Sequence, residues 1–233
     1  MRAGSKAALL KAAKELFSLK GYAAVSTREI ADQAGVNLGA ITYHFGSKAK
    51  LFIETVTGLM EERAERNRCR CKDTPIASRA DAAVELCAAV RGMLLERCGV
   101  KGPDACRLMY REVHSATSED PEIFEPLMES VVENYMRPFY SRLSALVQSL
   151  QQELSKEESE FTVHSILGQC SVYVTHQPFL NRLQGSDTSE RGYLLRAAEQ
   201  ICRMTLRGLG LSESEIHNAL EKVAEYETGL SET

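Results

Sequence analysis

No stretch of about 18 consecutive apolar residues occurs in this chain, and a helix of roughly that length is needed to span a bilayer, so no membrane span is expected. The basic N-terminus (Arg2, Lys6, Lys11, Lys14) is followed by neither an apolar h-region nor a small-residue cleavage site. A secretory signal is therefore not expected, and a cytoplasmic location is. A glycine-rich phosphate loop, a nucleophile elbow and a His-Glu-x-x-His pair are all missing. Without such a converging set the sequence points to no enzymatic reaction, no metal and no cofactor. Alternating strand patterns are almost missing too, and there is no internal repeat or low-complexity tract. Seven cysteines (69, 71, 87, 98, 106, 170, 202) are an odd number without an export signal, which reads as reduced thiols rather than a disulfide framework.

What is present is a chain of 233 residues, 44% hydrophobic and 26% charged, long enough to bury a real core in one or two domains. Its net charge of −4 is unevenly spread. Residues 1–50 carry eight Lys/Arg against three acids, an excess of +5 that leaves −9 for the remainder. A basic end on an acidic body suits contact between residues 1–50 and a polyanion. A merely solvated charged surface fits the same numbers.

Apolar residues recur at helical spacing nearly throughout, so the fold class is all-α. Ala8, Leu9, Ala12, Leu16 and Phe17 form one face of a first helix that Gly21 ends. Thr27, with Glu29 nearby, predicts the N-cap of a short helix running to about Ala34. Gly35 turns the chain into another short helix from about Leu38 to His44. Ser47 then predicts the cap of a long helix from about Lys48, with Leu51, Phe52, Val56 and Leu59 inward. The polar segment "RCRCKDTPIASRAD" (68–81) marks a domain boundary. The expected division is a DNA-binding domain at 1–50, a linking helix at 48–70 and a helical body at 76–233. About six more helices follow, with breaks at 98–104, 115–122, 155–159, 184–190 and 208–214. Pro121 suits a first helical turn, while Pro138 and Pro178 predict kinks or boundaries.

Two short helices joined by a glycine turn make a helix-turn-helix. Ala31, Ala34 and Ala40 let the helices cross closely, and Ile30, Val36, Ile41 and Phe45 seal them against the first helix. The second helix then presents Asn37, Leu38, Gly39, Thr42, Tyr43 and His44 outward. Short side chains rich in hydrogen-bonding groups are what the major groove of DNA admits. Thr27, Arg28, Tyr43, His44 and Lys48 suit phosphate oxygens.

The stretches "AAKELFSLKGYAAVSTREIADQAGV" and "GAITYHFGSKAKLF" resemble the N-terminal DNA-binding domain of the tetracycline-repressor (TetR) family over roughly residues 5–56. The resemblance implies DNA-facing roles for Thr42, Tyr43, His44 and Lys48. One departure is Thr42, where many members carry tyrosine. The family likeness also implies a double-stranded operator, a homodimer and a small-molecule effector that releases a repressor. By that likeness the late helices 160–183 and 189–210 form the dimer bundle, with Ile166, Gly168, Cys170, Val174, Leu195, Ala198 and Cys202 as interface candidates. Met109, His114, Phe124, Tyr135, Met136, Phe139 and Tyr173 are effector-pocket candidates, though each taken singly reads first as plain core. Two rival readings stand beside this one: a thiol-based redox sensor using Cys69 and Cys71, and a helical interaction module without specific DNA binding.

Overall fold

A computed structural model describes residues 2–68, 75–97, 108, 111–112 and 121–230. Every described element is helical. The chain divides into two compact units, one of residues 1–66 and 100–137, the other of 67–99 and 138–233.

The first unit begins with α1 (Arg2–Lys20), α2 (Thr27–Ala34), α3 (Gly39–Phe45) and α4 (Lys48–Arg68). Leu9, Ala12, Ala13, Leu16 and Phe17 of α1 are buried against Ile30, Ile41 and Phe45, and against Leu51, Phe52, Val56 and Leu59 of α4. Ala8, expected on that face, is only half-buried. The Phe17 and Phe52 rings meet edge to face with centroids 5.0 Å apart, a favoured aromatic geometry. Truncating either ring to alanine is worth about 3–5 kcal/mol by the usual cost of a large core deletion.

The same core takes in Leu108, Ile123, Leu127 and Val131. The compact units differ from the expected division at 1–50 and 76–233 in that residues 100–137 cluster with the N-terminal helices. The reason is apolar: α6 (Pro121–Val131) turns Ile123, Leu127 and Val131 into that core. Pro121 opens α6 as predicted, and Pro126 lies inside it. A single π turn, Val132–Met136, follows, in which the Arg137 amide donates to the Val132 carbonyl. Pro138 does not break the helix, which continues as α7 (Arg137–Leu150), but the second unit resumes at it. Having no N–H, Pro138 cannot serve the carbonyl one turn back, and a wider turn just before it relieves that crowding.

The second unit packs α5 (Arg79–Arg97) against α8 (Lys156–Thr175), α10 (Arg191–Gly208) and α11 (Glu213–Leu230). Leu86, Val90 and Leu94 of α5 are buried among Val163, Ile166, Ala198, Leu206 and Ile216. Arg79 ties the ends together. Its guanidinium donates to the Leu150 carbonyl at 3.0 Å and to the Gly210 carbonyl at 3.3 Å, and it pairs with Glu215 at 3.1 Å. Arg142 and Glu85 form a two-pronged pair at 2.6 Å per arm with both side chains largely buried, the geometry such a pair needs to offset its desolvation. The expected late helix 160–183 is split: α8 ends at Thr175, and α9 (Gln177–Gln184) starts with Pro178 in its first turn. Pro178 is thus the boundary its sequence suggests.

Candidate nucleic-acid interface

The cap of α2 is Ser26, whose hydroxyl accepts from the Glu29 amide at 3.1 Å, so the expected cap Thr27 moves to the first helical position. Ser26 has the extended backbone a cap requires, with ψ 153°. Thr27 is thereby left half-buried with Arg28 exposed beside it. Gly35 closes α2 in the left-handed region (φ 63°), and its amide donates back to Ala31 and Asp32. A side chain there is strained, which fixes glycine at the turn.

On α3, Leu38, Gly39, Thr42 and Tyr43 are exposed, Tyr43 at 67%. Asn37 is exposed too, but its side-chain oxygen accepts from the Gly39 amide at 2.8 Å. That bond closes a side-chain turn just before the helix and leaves the Asn37 amide nitrogen for an outside acceptor. Helix α3 itself runs Gly39–Phe45, one residue later than expected at each end.

His44 and Lys48 are held more firmly than their sequence positions suggest. His44 is half-buried, with Nε2 2.7 Å from the Ser5 hydroxyl of α1, and its ring meets Tyr43 edge to face. The Lys48 ammonium lies 4.1 Å from the centre of the Tyr22 ring, a cation–π contact. Partial burial pulls the Lys48 pKa down, and the nearby Glu112 carboxylate works against that pull.

Much of the basic excess is paired. Lys6 bonds Glu54 at 2.7 Å, Lys14 bonds Glu62 at 2.6 Å, and Lys20 bonds Glu29. Arg28 and Lys50 are exposed. Three of the eight Lys and Arg of residues 1–50 are thus paired with carboxylates of their own unit.

One arrangement lay beyond sequence reasoning. The Arg111 guanidinium donates to the carbonyls of Phe17, Ser18 and Leu19 at the C-terminal end of α1. Buried Glu112 accepts from the Tyr22 amide at 3.2 Å. Gly21 lies between them with φ 84°, and a Cβ there would stand 3.1 Å from both the Arg111 Nε and a Glu112 oxygen. These partners are some 90 residues apart in the chain, so no local pattern announces them.

The interface candidates divide. Ile166, Cys170, Ala198 and Cys202 are buried in the second unit's own core. They are on the helix faces that α5 covers. Gly168 is exposed, and Val174 and Leu195 are half-buried. Among the pocket candidates, Met109 and His114 lie outside the described residues, as do Cys69 and Cys71. Phe124, Tyr135 and Met136 belong to the first unit and Phe139 and Tyr173 to the second. Burial, with the Glu61 carboxylate adding to it, raises the Tyr135 pKa. A groove of roughly 530 Å³ in the first unit is lined by Leu10, Lys50, Ile53, Glu54, Thr57, Gly58 and Glu61, and takes in none of these candidates. Among the described residues no group of three or more His, Cys, Asp or Glu is placed to hold a metal ion, and no helix is long and apolar enough to cross a membrane.

Comparison with known proteins places this geometry. Residues 9–55 match the family described as bacterial regulatory proteins, tetR family. Residues 82–209 match the C-terminal domain of the HTH-type transcriptional dual regulator CecR. The HTH-type transcriptional repressor KstR2 of Rhodococcus jostii is 34% identical over 61 residues, which span 26% of this chain and 30% of that protein's length. The structure is similar to that of the regulator FadR from Bacillus subtilis in complex with stearoyl-CoA, at TM-score 0.60 and 18% identity over 87% of this chain and 98% of the other. It is also similar to AibR in complex with isovaleryl coenzyme A and operator DNA, at TM-score 0.57 and 14% identity over 86% and 97%. With the second match alone spanning more than half of its residues, the chain belongs to the tetR family of bacterial regulatory proteins, a helix-turn-helix transcriptional regulator with a C-terminal domain of the CecR type.

Proposed function

We propose that the chain acts as a one-component repressor: a homodimer that binds a palindromic operator through α3 of each copy and is released by a small-molecule effector. The observation that carries this is the exposed run Leu38, Gly39, Thr42 and Tyr43 on a short helix fixed by a core it shares with α1 and α4. A rigid scaffold under short hydrogen-bonding side chains suits major-groove reading. Thr42 and the Asn37 amide are the base-edge candidates. Arg28, Tyr43 and Lys48 are the phosphate candidates, Lys48 after leaving the Tyr22 ring.

A ligand loosens DNA binding only by its preference for a state that holds the two reading helices at another spacing. The effector would occupy the helical body, with Phe139 and Tyr173 at the edge of the second unit's core as its first contacts. Two similar regulators are described in complex with acyl-CoA thioesters, so this class is the first to try.

Selection of genomic DNA fragments on the purified protein at near-physiological salt tests the reading. A palindrome with half-sites about 10 base pairs apart supports it, and its loss on adding an acyl-CoA supports the effector class. Fragments no better than random would sink the operator reading.

A further inference from the structure

Lys48 is the first residue of α4, a position where the positive end of the helix dipole disfavours a cation. No acidic residue stands in that turn to offset it. What receives the ammonium lies elsewhere in the same unit. Its nitrogen is 4.1 Å from the centre of the Tyr22 ring, within the range of a cation–π contact. The buried Glu112 carboxylate is close enough to favour the charged form that partial burial opposes.

The ring is itself held from two sides. It packs in the unit's core, its centroid 6.1 Å from that of Phe17 and 5.0 Å from that of Phe52. The Tyr22 amide donates to Glu112 at 3.2 Å, and Glu112 accepts from Arg111 as well. Gly21 permits that close approach, because a Cβ there would crowd both side chains. One carboxylate thus anchors the backbone that carries the ring and attracts the cation that the ring holds.

This seat is unsuited to a phosphate. The face of an aromatic ring is negative, and a buried carboxylate repels an anion too. A phosphate cannot follow the ammonium there, so the seated and DNA-bound positions of Lys48 exclude each other. A protein whose competent state is only partly populated binds with an affinity reduced in proportion to that population.

We propose that Tyr22 and Glu112 are positioning residues for Lys48: they seat its ammonium within the N-terminal unit, so that a DNA phosphate must draw it out. The proposal rests on the DNA-binding reading above, in which Lys48 contacts phosphate. Glu112 lies outside residues 9–55, the stretch that matches the tetR family, so the helix-turn-helix segment alone does not carry this control.

A fluorescent DNA duplex of random sequence is titrated with the full chain at several salt concentrations, since a phosphate contact carries no sequence information. Tyr22→Leu removes the ring and keeps apolar bulk. It should tighten binding about three- to tenfold, the scale of one cation–π contact. Glu112→Gln keeps an acceptor for the Tyr22 amide but loses the charge, and should tighten binding about twofold or more at low salt. Both gains should vanish in the Lys48→Ala background, and Tyr22→Phe, which keeps the ring, should bind like the parent. A gain missing from Tyr22→Leu, or one that survives in Lys48→Ala, overturns the seat and leaves DNA binding standing. A gain missing from Glu112→Gln alone strikes that residue from the proposal. A parent that binds no duplex even at low salt overturns the DNA-binding reading itself.

A second measurement needs no substitution at the ring. The lysines of the parent are dimethylated with carbon-13 formaldehyde, which keeps their charge, and the Lys48 signal is identified by its loss in Lys48→Ala. The Tyr22 ring current should place it upfield of the exposed lysines in the free chain, and added duplex should return it toward them. An ordinary position in the free chain, or a signal that duplex leaves unmoved, overturns the seat.

Discussion

The Arg111 guanidinium stands 3.2 Å from the Ser18 carbonyl and bonds the Phe17 carbonyl as well, closing the end of the first helix with a residue from far along the chain. Carbonyls at a helix end have no partner within the helix, and a cation there also meets the negative end of the dipole. Arg111→Ala should lower the unfolding free energy by about 1–3 kcal/mol, the range for losing charged hydrogen bonds. Arg111→Lys should recover only part, because an ammonium lacks the planar fork that reaches several oxygens. Denaturant unfolding at constant m-value measures both. A neutral Arg111→Ala variant would show that water replaces the guanidinium without cost.

Gly21→Ala adds strain to the same place. The left-handed backbone alone costs a non-glycine residue about 1–2 kcal/mol, and the new methyl crowds Arg111 and Glu112. The expected outcome is a melting temperature several degrees below the parent. Gly58→Ala is the control: no atom lies within 4 Å of its added Cβ, and alanine favours the helix, so melting should hold or rise.

Tyr43→Ala should leave stability within about 0.5 kcal/mol, as surface changes do, and still weaken operator binding. Lys48→Ala should weaken binding to all sequences alike and lower the salt slope by about one unit, the signature of a lost phosphate contact. Binding isotherms at several salt concentrations read both effects. Full operator affinity in both variants would remove these residues from the interface.

The start of α8 carries a capping box: the Glu158 amide donates to the Ser155 hydroxyl at 3.2 Å, and the Ser155 amide donates to the Glu158 carboxylate at 2.8 Å. Hydrogen bonds from the Ser155 hydroxyl and amide pull the Glu158 pKa below its ordinary 4.5. A depressed carboxylate contributes stability above its unfolded pKa and loses it as pH falls through the folded value. The stability gap between the parent and Glu158→Gln should therefore be present at pH 7 and close below about pH 4. Ser155→Ala should cost about 1 kcal/mol at neutral pH. A gap that persists unchanged into acid would show that the carboxylate's charge plays no part.

Cys87, Cys170 and Cys202 are buried thiols. A hydrogen bond with Cys87, then burial, pushes the Cys202 thiol well above its ordinary range, and the reactive form is the thiolate. Iodoacetamide should leave all three unmodified in the native protein and label them after unfolding, with peptide mass spectrometry as the readout. Labelling of the native chain at Cys202 would show that the core opens enough to expose its thiolate.

Much of the first unit was legible because its signals are local. The Leu9–Phe17 spacing, the glycine at 35 and the Ser47 cap lie within a few residues of what they determine, and Ser47 does accept from the Lys50 amide. Thr27 was misjudged as a cap because Ser26 beside it has the same chemistry, and only backbone angles separate the two. The inward turn of Ile166, Cys170, Ala198 and Cys202 was hidden for another reason. A late helix apolar on more than one face does not say which face its own chain covers. The membership of α6 in the N-terminal core is likewise a long-range fact, carried by Ile123 and Leu127 meeting side chains about a hundred residues earlier.

The pairing of Lys6, Lys14 and Lys20 with carboxylates of their own unit bears on how such a regulator spends its time on a chromosome. Attachment to random sequence is driven by displaced counterions, and each cation already neutralised displaces fewer. Three such pairs among the eight Lys and Arg of residues 1–50 should lower the salt slope of attachment to random sequence. The regulator's selectivity then rests less on clinging to the backbone than on the few short side chains that touch the bases.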